Sequence, residues 1–195
     1  MSNYCNAWVL PHHNIYYPEL CRISSIRPFL TVVSAAELAC SCILSRIDYY
    51  NSLLAGITCK QLARLQKIQN HAAGLTFRKK RHDHVTPVLK KLHWLPVSER
   101  IVFKLVALSF HYFDGTLPPY LSCCLSSYSS SRFLHSSSQK LLTISRVNLK
   151  SAGAWSFQYQ APLIWNSLPL KIHHCLSLLS FKSQIKTHLF LNAFP

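Results

Sequence analysis

The sequence predicts a mainly α fold with a small β element near the C-terminal end. Two observations carry this. Apolar residues recur at steps of three and four through several long stretches, beginning behind Ser/Thr capping patterns. Only two short runs, both after residue 138, have β-compatible composition. Hydrophobic residues make up 49% of the chain, enough for a packed core.

Residues 1–20 read as irregular, because Pro11, the His12-His13 pair and Pro18 break any period. Ser34-Ala-Ala-Glu37 is a capping-box pattern, and helical spacing runs from Ala35 to Leu54, ended by Gly56. The first half of that helix is almost free of charge, so it is expected to be buried. Thr58-Cys-Lys-Gln61 is a second capping box. Leu62, Leu65, Ile68, Ala72 and Leu75 then define one apolar face of a helix over 59–77.

Thr86-Pro87 opens a short helix to Leu92, and Pro96 with Ser98 begins another from Val97 to Phe113, ending near Gly115. Ile101, Leu105, Leu108 and Tyr112 stripe one side of it while Phe103, Val106 and Phe110 fall elsewhere, as expected of a central helix. Pro118-Pro119-Tyr120 starts one more helical turn. Residues 126–138 hold eight serines and read as a surface loop. Leu141–Ile144 and Trp155–Tyr159 are expected to pair as a small hairpin, followed by a short helix over Ala161–Leu168. Ser177 caps a last helix with Leu178, Phe181, Ile185 and Leu189 inward and Lys182 and Lys186 outward.

Charge is the second guide. The chain carries 21 Lys and Arg against six Asp and Glu, a formal charge of +15. Such an excess points to a polyanionic partner, nucleic acid first and an anionic membrane surface second. The acids are Glu19, Glu37, Asp48, Asp83, Glu99 and Asp114, all isolated in sequence. Two-metal phosphoryl transfer needs several converging carboxylates, so no polymerase or nuclease site is expected. Ten bases crowd one stretch: Arg64, Lys67, Arg78, Lys79, Lys80, Arg81, Lys90, Lys91, Arg100 and Lys104. They are the candidate contacts to a phosphate backbone, which carries no base-reading code. A solvated face, or nuclear localisation through Arg78–Arg81, remains open beside that reading.

The remaining constellations are read as structural. His82-Asp-His84 has the residues for two metal ligands or an acid–base pair, but adjoins a basic tetrad and is read as a polar loop. Arg46 and Asp48 are read as local polar contacts. Tyr49, Tyr50, Trp94, Tyr112, Trp155 and Trp165 are expected mostly in packing, with Trp94 the candidate for base stacking because Lys90, Lys91 and His93 precede it. The eight cysteines contain no CxxC pair and are expected to be buried and reduced. No metal, cofactor or small-molecule substrate is expected. Neither a signal peptide nor a transmembrane segment is expected, which suits an intracellular setting, nucleus or cytoplasm.

A family resemblance emerges from motifs taken in order. They are Ile26-Arg-Pro-Phe-Leu30, Ser45-Arg-Ile-Asp-Tyr-Tyr-Asn-Ser-Leu-Leu54 and Leu65-Gln-Lys-Ile-Gln-Asn70. His84-Val-Thr-Pro-Val-Leu-Lys-Lys-Leu-His-Trp-Leu-Pro96, Arg100-Ile101 and Lys104 follow. Pro119-Tyr-Leu121, Ala161-Pro-Leu-Ile-Trp-Asn-Ser-Leu-Pro169 and Ser180-Phe-Lys182 complete the set. From about residue 20 onward the chain resembles the C-terminal part of non-LTR (LINE-type) retrotransposon reverse transcriptases of the jockey-related, chicken-repeat-like group. The family's palm motif, aromatic-Ala-Asp-Asp, and its endonuclease residues do not occur here. The resemblance therefore implies a thumb and the tail beyond it, without catalysis. It divides the chain into an irregular segment 1–20, a helical thumb-like domain 21–125, a Ser-rich loop 126–138 and a small α+β region 139–195. A thumb grips template–primer duplex through its backbone, so the 59–77 helix and its basic end become the expected RNA or DNA contact. The alternatives are a fossil product without independent function, or an accessory piece completed by a palm-bearing polymerase chain.

Overall fold

The computed structural model describes residues 16–49, 54–79, 83–129, 140–146 and 153–195. Its described elements are almost entirely helical, in agreement with the mainly α expectation. The chain divides into two compact units. The first holds the described parts of 16–49 and 57–100 together with Phe194, and the second holds 54–56 and 101–193. The boundary thus falls inside a helix near residue 100, whereas the sequence places its change of character after Leu125.

In the first unit α1 covers 16–26, so the expected irregular segment is helical from residue 16 onward. Tyr16, Leu20 and Ile23 are its buried residues, spaced at four and three, and Pro18 sits in its first described turn. A 3-10 turn, Arg27–Phe29, leads to α2, Val32–Ala39. The cap of α2 is Thr31, whose side chain accepts from the Ser34 N–H at 3.2 Å; Ser34 is therefore inside the helix and not its cap. A π-helical turn, Cys40–Leu44, joins α2 to α3, Ser45–Tyr49. The Ser45 hydroxyl bonds back to the Ser41 carbonyl within it. This rod is buried on one side only. Ala35, Ala39, Ile43, Leu44 and Ile47 point inward, while Glu37 and Ser41 are exposed, so the first half of the expected helix is buried on one side and not all round.

The axis of this unit is α4, Cys59–Thr76. Both halves of its capping box form: Thr58 Oγ1 accepts from the Gln61 N–H at 3.4 Å, and Gln61 Oε1 accepts from the Thr58 N–H at 3.3 Å. α2 packs along α4, and the buried small residues Ala35, Ala39, Ala72 and Ala73 permit a close approach. The short α5, Thr86–Leu92, packs on α4 as well. After α5 the chain returns to α4 through two glutamines. Gln69, fully buried, donates to the Leu95 carbonyl at 2.8 Å, and Gln66 accepts from the Val97 N–H at 2.9 Å while donating to Gln69 Oε1 at 3.0 Å. Side-chain amides thus satisfy backbone groups that no helix or strand serves here.

The second unit contains most of α6, Val97–Phe113, then α7, Pro119–Ser122, α8, Phe157–Asn166, α9, Leu170–His173, and α10, Leu178–Ala193. Its core is aromatic. Phe110 stacks on Phe181 at 4.3 Å, Phe113 lies 5.3 Å from Trp165, and Trp165 meets His173 edge-on at 4.8 Å. α10 buries Phe181, Ile185 and Leu189, leaving Lys182 and Lys186 exposed, as the spacing predicts.

The expected hairpin between 141–144 and 155–159 does not form. Residues from Phe157 are helical, because Ala161 and Trp165, four apart, both enter the core. Leu142 instead makes an isolated antiparallel bridge with Ser127. On its other side Leu142 meets the Asn166 side chain, which accepts from its N–H at 3.0 Å and donates to its carbonyl at 2.8 Å. Trp165 Nε1 adds a bond to the Lys140 carbonyl at 2.6 Å. One amide side chain thus occupies the edge a second strand would need. Among the described residues this bridge is the only β pairing, and no described helix is long and apolar enough to cross a membrane.

Candidate nucleic-acid interface

The buried face of α4 is set by Leu65, Ile68, Gln69, Ala72 and Thr76. At 100° per residue the opposite face falls on Lys60, Arg64, Lys67 and His71, at i, i+4, i+7 and i+11. Lys60, Lys67 and His71 are exposed and Arg64 is half-buried. The row extends about 16 Å along the helix, with a basic side chain every ~4.5–6 Å. Among the described residues no carboxylate pairs with Lys60, Arg64 or Lys67. Two of the ten candidates, Arg64 and Lys67, therefore stand in this row. Lys60 and His71 complete it, and the same three-and-four spacing was present in the sequence to find them.

The basic end of α4 is different. Arg78 adopts a left-handed conformation with φ +52°, its N–H bonds the Leu75 carbonyl at 3.3 Å, and the Lys79 N–H reaches Gly74 at 2.9 Å. That is a Schellman stop with arginine in the usual glycine position. The Arg78 guanidinium donates to the Pro28 and Arg27 carbonyls at 3.0 and 3.3 Å, so it ties α4 to the 3-10 turn. From the same turn Arg27, 6% exposed, donates Nε to the Leu75 carbonyl at 2.9 Å and Nη2 to Thr76 at 2.6 Å. A buried guanidinium is stable there because the terminal carbonyls of a helix concentrate negative potential. Lys79 lies 4.0 Å from Asp83. Lys80 and Arg81 lie outside the described residues.

Lys90 and Lys91 are exposed on α5, with the Lys90 ammonium 5.9 Å from the Phe194 ring centroid. Arg100 donates Nε to Asp48 at 2.8 Å and closes a second contact through Nη2, so its fork is engaged within the protein. Arg46 likewise reaches Glu19 on α1 at 3.6 Å, so neither Arg46 nor Asp48 makes the local contact expected from the sequence; both partners come from distant elements. Lys104 is exposed and belongs to the second unit.

The aromatic candidate for base stacking fails: Trp94 is 7% exposed and packs in the core, so its ring face is not open to a nucleotide. Trp165 is buried, while Tyr49 is exposed; Tyr50 lies outside the described residues. Of the histidine pair, His84 is exposed and His82 lies outside the described residues. No group of three metal-ligating side chains comes together among the described residues. The cysteines depart from expectation, since of those described only Cys175 is buried and Cys21, Cys59 and Cys123 are exposed. Burial pushes the half-buried Cys40 thiol up, with Asp48 and Glu37 adding to this and Arg100 opposing it. Comparison with known protein families, with characterised proteins and with solved structures gave no match.

Proposed function

We propose that this chain is a non-catalytic piece from the C-terminal part of a LINE-type reverse transcriptase and binds RNA or DNA along the phosphate backbone. The origin rests on the ordered motifs; the binding rests on one observation, the row Lys60, Arg64, Lys67 and His71 without acidic partners among the described residues. A row of basic side chains along one helix face suits an array of phosphates, and release of counterions supplies the affinity. The row offers charge without a shape-specific set of donors for base edges, so the binding is sequence-independent.

Acid chemistry is assigned no role. Asp48 is held by Arg100, Asp83 by Lys79, and Glu19 lies between Arg22 and Arg46. The test is binding to two labelled RNA–DNA hybrids of unrelated sequence, with Mg²⁺ and nucleotides in a parallel sample. Equal affinities and no incorporation are expected. Primer extension that tracks the purified chain, or a strong preference for one sequence, would overturn the reading.

A second reading is favoured by a different feature. Ile26, Phe29, Val32 and Val33 are exposed at 43%, 88%, 41% and 67% along one short stretch of the first unit. A helical piece separated from its neighbour leaves such apolar residues uncovered. On this reading the chain has no independent role, or acts only beside a palm-bearing polymerase chain. Self-association rising with protein concentration, without salt-sensitive nucleic-acid binding, would favour it over the first.

A further inference from the structure

We propose that the second unit carries a docking surface for anionic phospholipid bilayers, formed by Leu176, Leu179, Lys182 and Lys186 where α10 begins. The charge pattern comes first. From residue 115 to the C-terminus the sequence contains no Asp or Glu, against seven Lys and Arg. Any partner of this region is therefore selected for negative charge.

The leucines narrow the partner further. Ser177 Oγ accepts from the Ser180 N–H at 3.2 Å, which makes Ser177 the cap of α10 and Leu176 the residue just before it. A hydrophobic residue at that position ordinarily packs on the fourth helical residue, here Phe181. Phe181 is fully buried, stacked on Phe110 at 4.3 Å and 5.9 Å from Trp165, so Leu176 has no seat on it and is 96% exposed. Leu179 is 82% exposed and shares its helix face with Lys182 and Lys186, opposite the buried Phe181, Ile185 and Leu189. In α9, Leu170 and Lys171 repeat the pairing of an exposed leucine with an exposed lysine.

A phosphate backbone would engage the lysines and leave the leucines in water. At the boundary of headgroups and acyl chains both are satisfied: the leucines enter the apolar layer and the lysine stems reach back to anionic headgroups. The seat is on the bilayer, since α10 is too short and polar to span it.

The test is co-sedimentation of the full chain with vesicles of phosphatidylserine and phosphatidylcholine, compared with phosphatidylcholine alone, at physiological salt. Binding is expected to the mixed vesicles only. Lys182→Gln with Lys186→Gln should weaken it roughly thirtyfold, from ~1 kcal/mol per lysine. Leu176→Ser with Leu179→Ser should weaken it about tenfold. Lys60→Gln with Lys67→Gln, on α4, should change it by no more than about threefold. Leu176→Ser alone keeps the test open if the double variant fails to fold, because that side chain touches almost nothing. Absence of binding to the mixed vesicles overturns the proposal. So does a leucine variant that binds like the unaltered chain, which would mark plain polyanion attraction shared with nucleic acid, or an equal loss from the α4 variant.

Discussion

Gln69 shows how much one buried side chain organises. Its amide bonds the Leu95 carbonyl at 2.8 Å and receives Gln66, which in turn holds the Val97 N–H at 2.9 Å. Gln69→Leu keeps the volume nearly constant but strands a buried carbonyl and an amide donor. A loss of about 1–3 kcal/mol is expected, read as a lower urea midpoint at unchanged slope. His173 makes a complementary prediction. It is 2% exposed, its Nε2 donates to the Leu168 carbonyl at 3.2 Å, and its Nδ1 has no hydrogen-bond partner within ordinary distance among the described residues. Burial pulls its pKa below the ordinary 6.5, with the Leu168 and Lys140 backbone carbonyls opposing and His174 adding to it. The unfolded chain then binds the proton more readily than the folded one. Stability should be undiminished above about pH 6.5 and fall as the pH drops through 6.5 toward the folded value. His173→Phe should flatten that acid-side slope; an unchanged slope would assign it to other groups.

At the scale of elements, the stop of α4 sets strain against hydrogen bonds. Arg78 at φ +52° costs about 1 kcal/mol relative to glycine, while its guanidinium bonds two carbonyls of the neighbouring turn. Arg78→Gly removes both and should leave stability within about 0.5 kcal/mol. Arg78→Ala keeps the strain, loses the bonds, and should cost about 1–2 kcal/mol. Chemical denaturation of the two variants side by side separates these contributions; equal losses would mean the backbone strain is not there. The elements also show what a sequence makes legible. α4, α5, α6 and α10 are local objects, specified by Thr58 with Gln61, by Pro87, and by apolar steps of three and four; the ends of α4, α5 and α6 and the start of α10 lie within a residue or two of expectation. The missing hairpin and the roles of Arg27 and Arg78 depend on partners 24 to 51 residues away. No periodicity announces that an asparagine amide will take the place of a strand, or that a guanidinium will close a helix end.

For the whole molecule, charge sorted by burial and pairing decides the functional reading. Arg64, Lys67, Lys90 and Lys91 were legible as candidates because bases facing away from an apolar stripe have only solvent to meet. Arg100 looked equivalent in sequence, yet its partner Asp48 is 52 residues distant and only the fold brings them together. Trp94 is a candidate for base stacking by its basic neighbours, but the Gln69–Leu95 bond draws that segment onto α4 and the ring is buried. The net charge of +15 guarantees some attraction to any polyanion, so affinity alone does not discriminate between a defined row and a diffuse field.

Salt dependence at a defined row does discriminate. The decisive measurement is a salt series of binding to an RNA–DNA hybrid by the unaltered chain and by a variant with Lys60→Gln, Arg64→Gln and Lys67→Gln. If these three side chains each neutralise a phosphate, the log–log slope should be shallower in the variant by roughly 2.7 on duplex-like charge spacing. Identical slopes in the two proteins, at matched thermal stability, would contradict the α4 row as the binding surface.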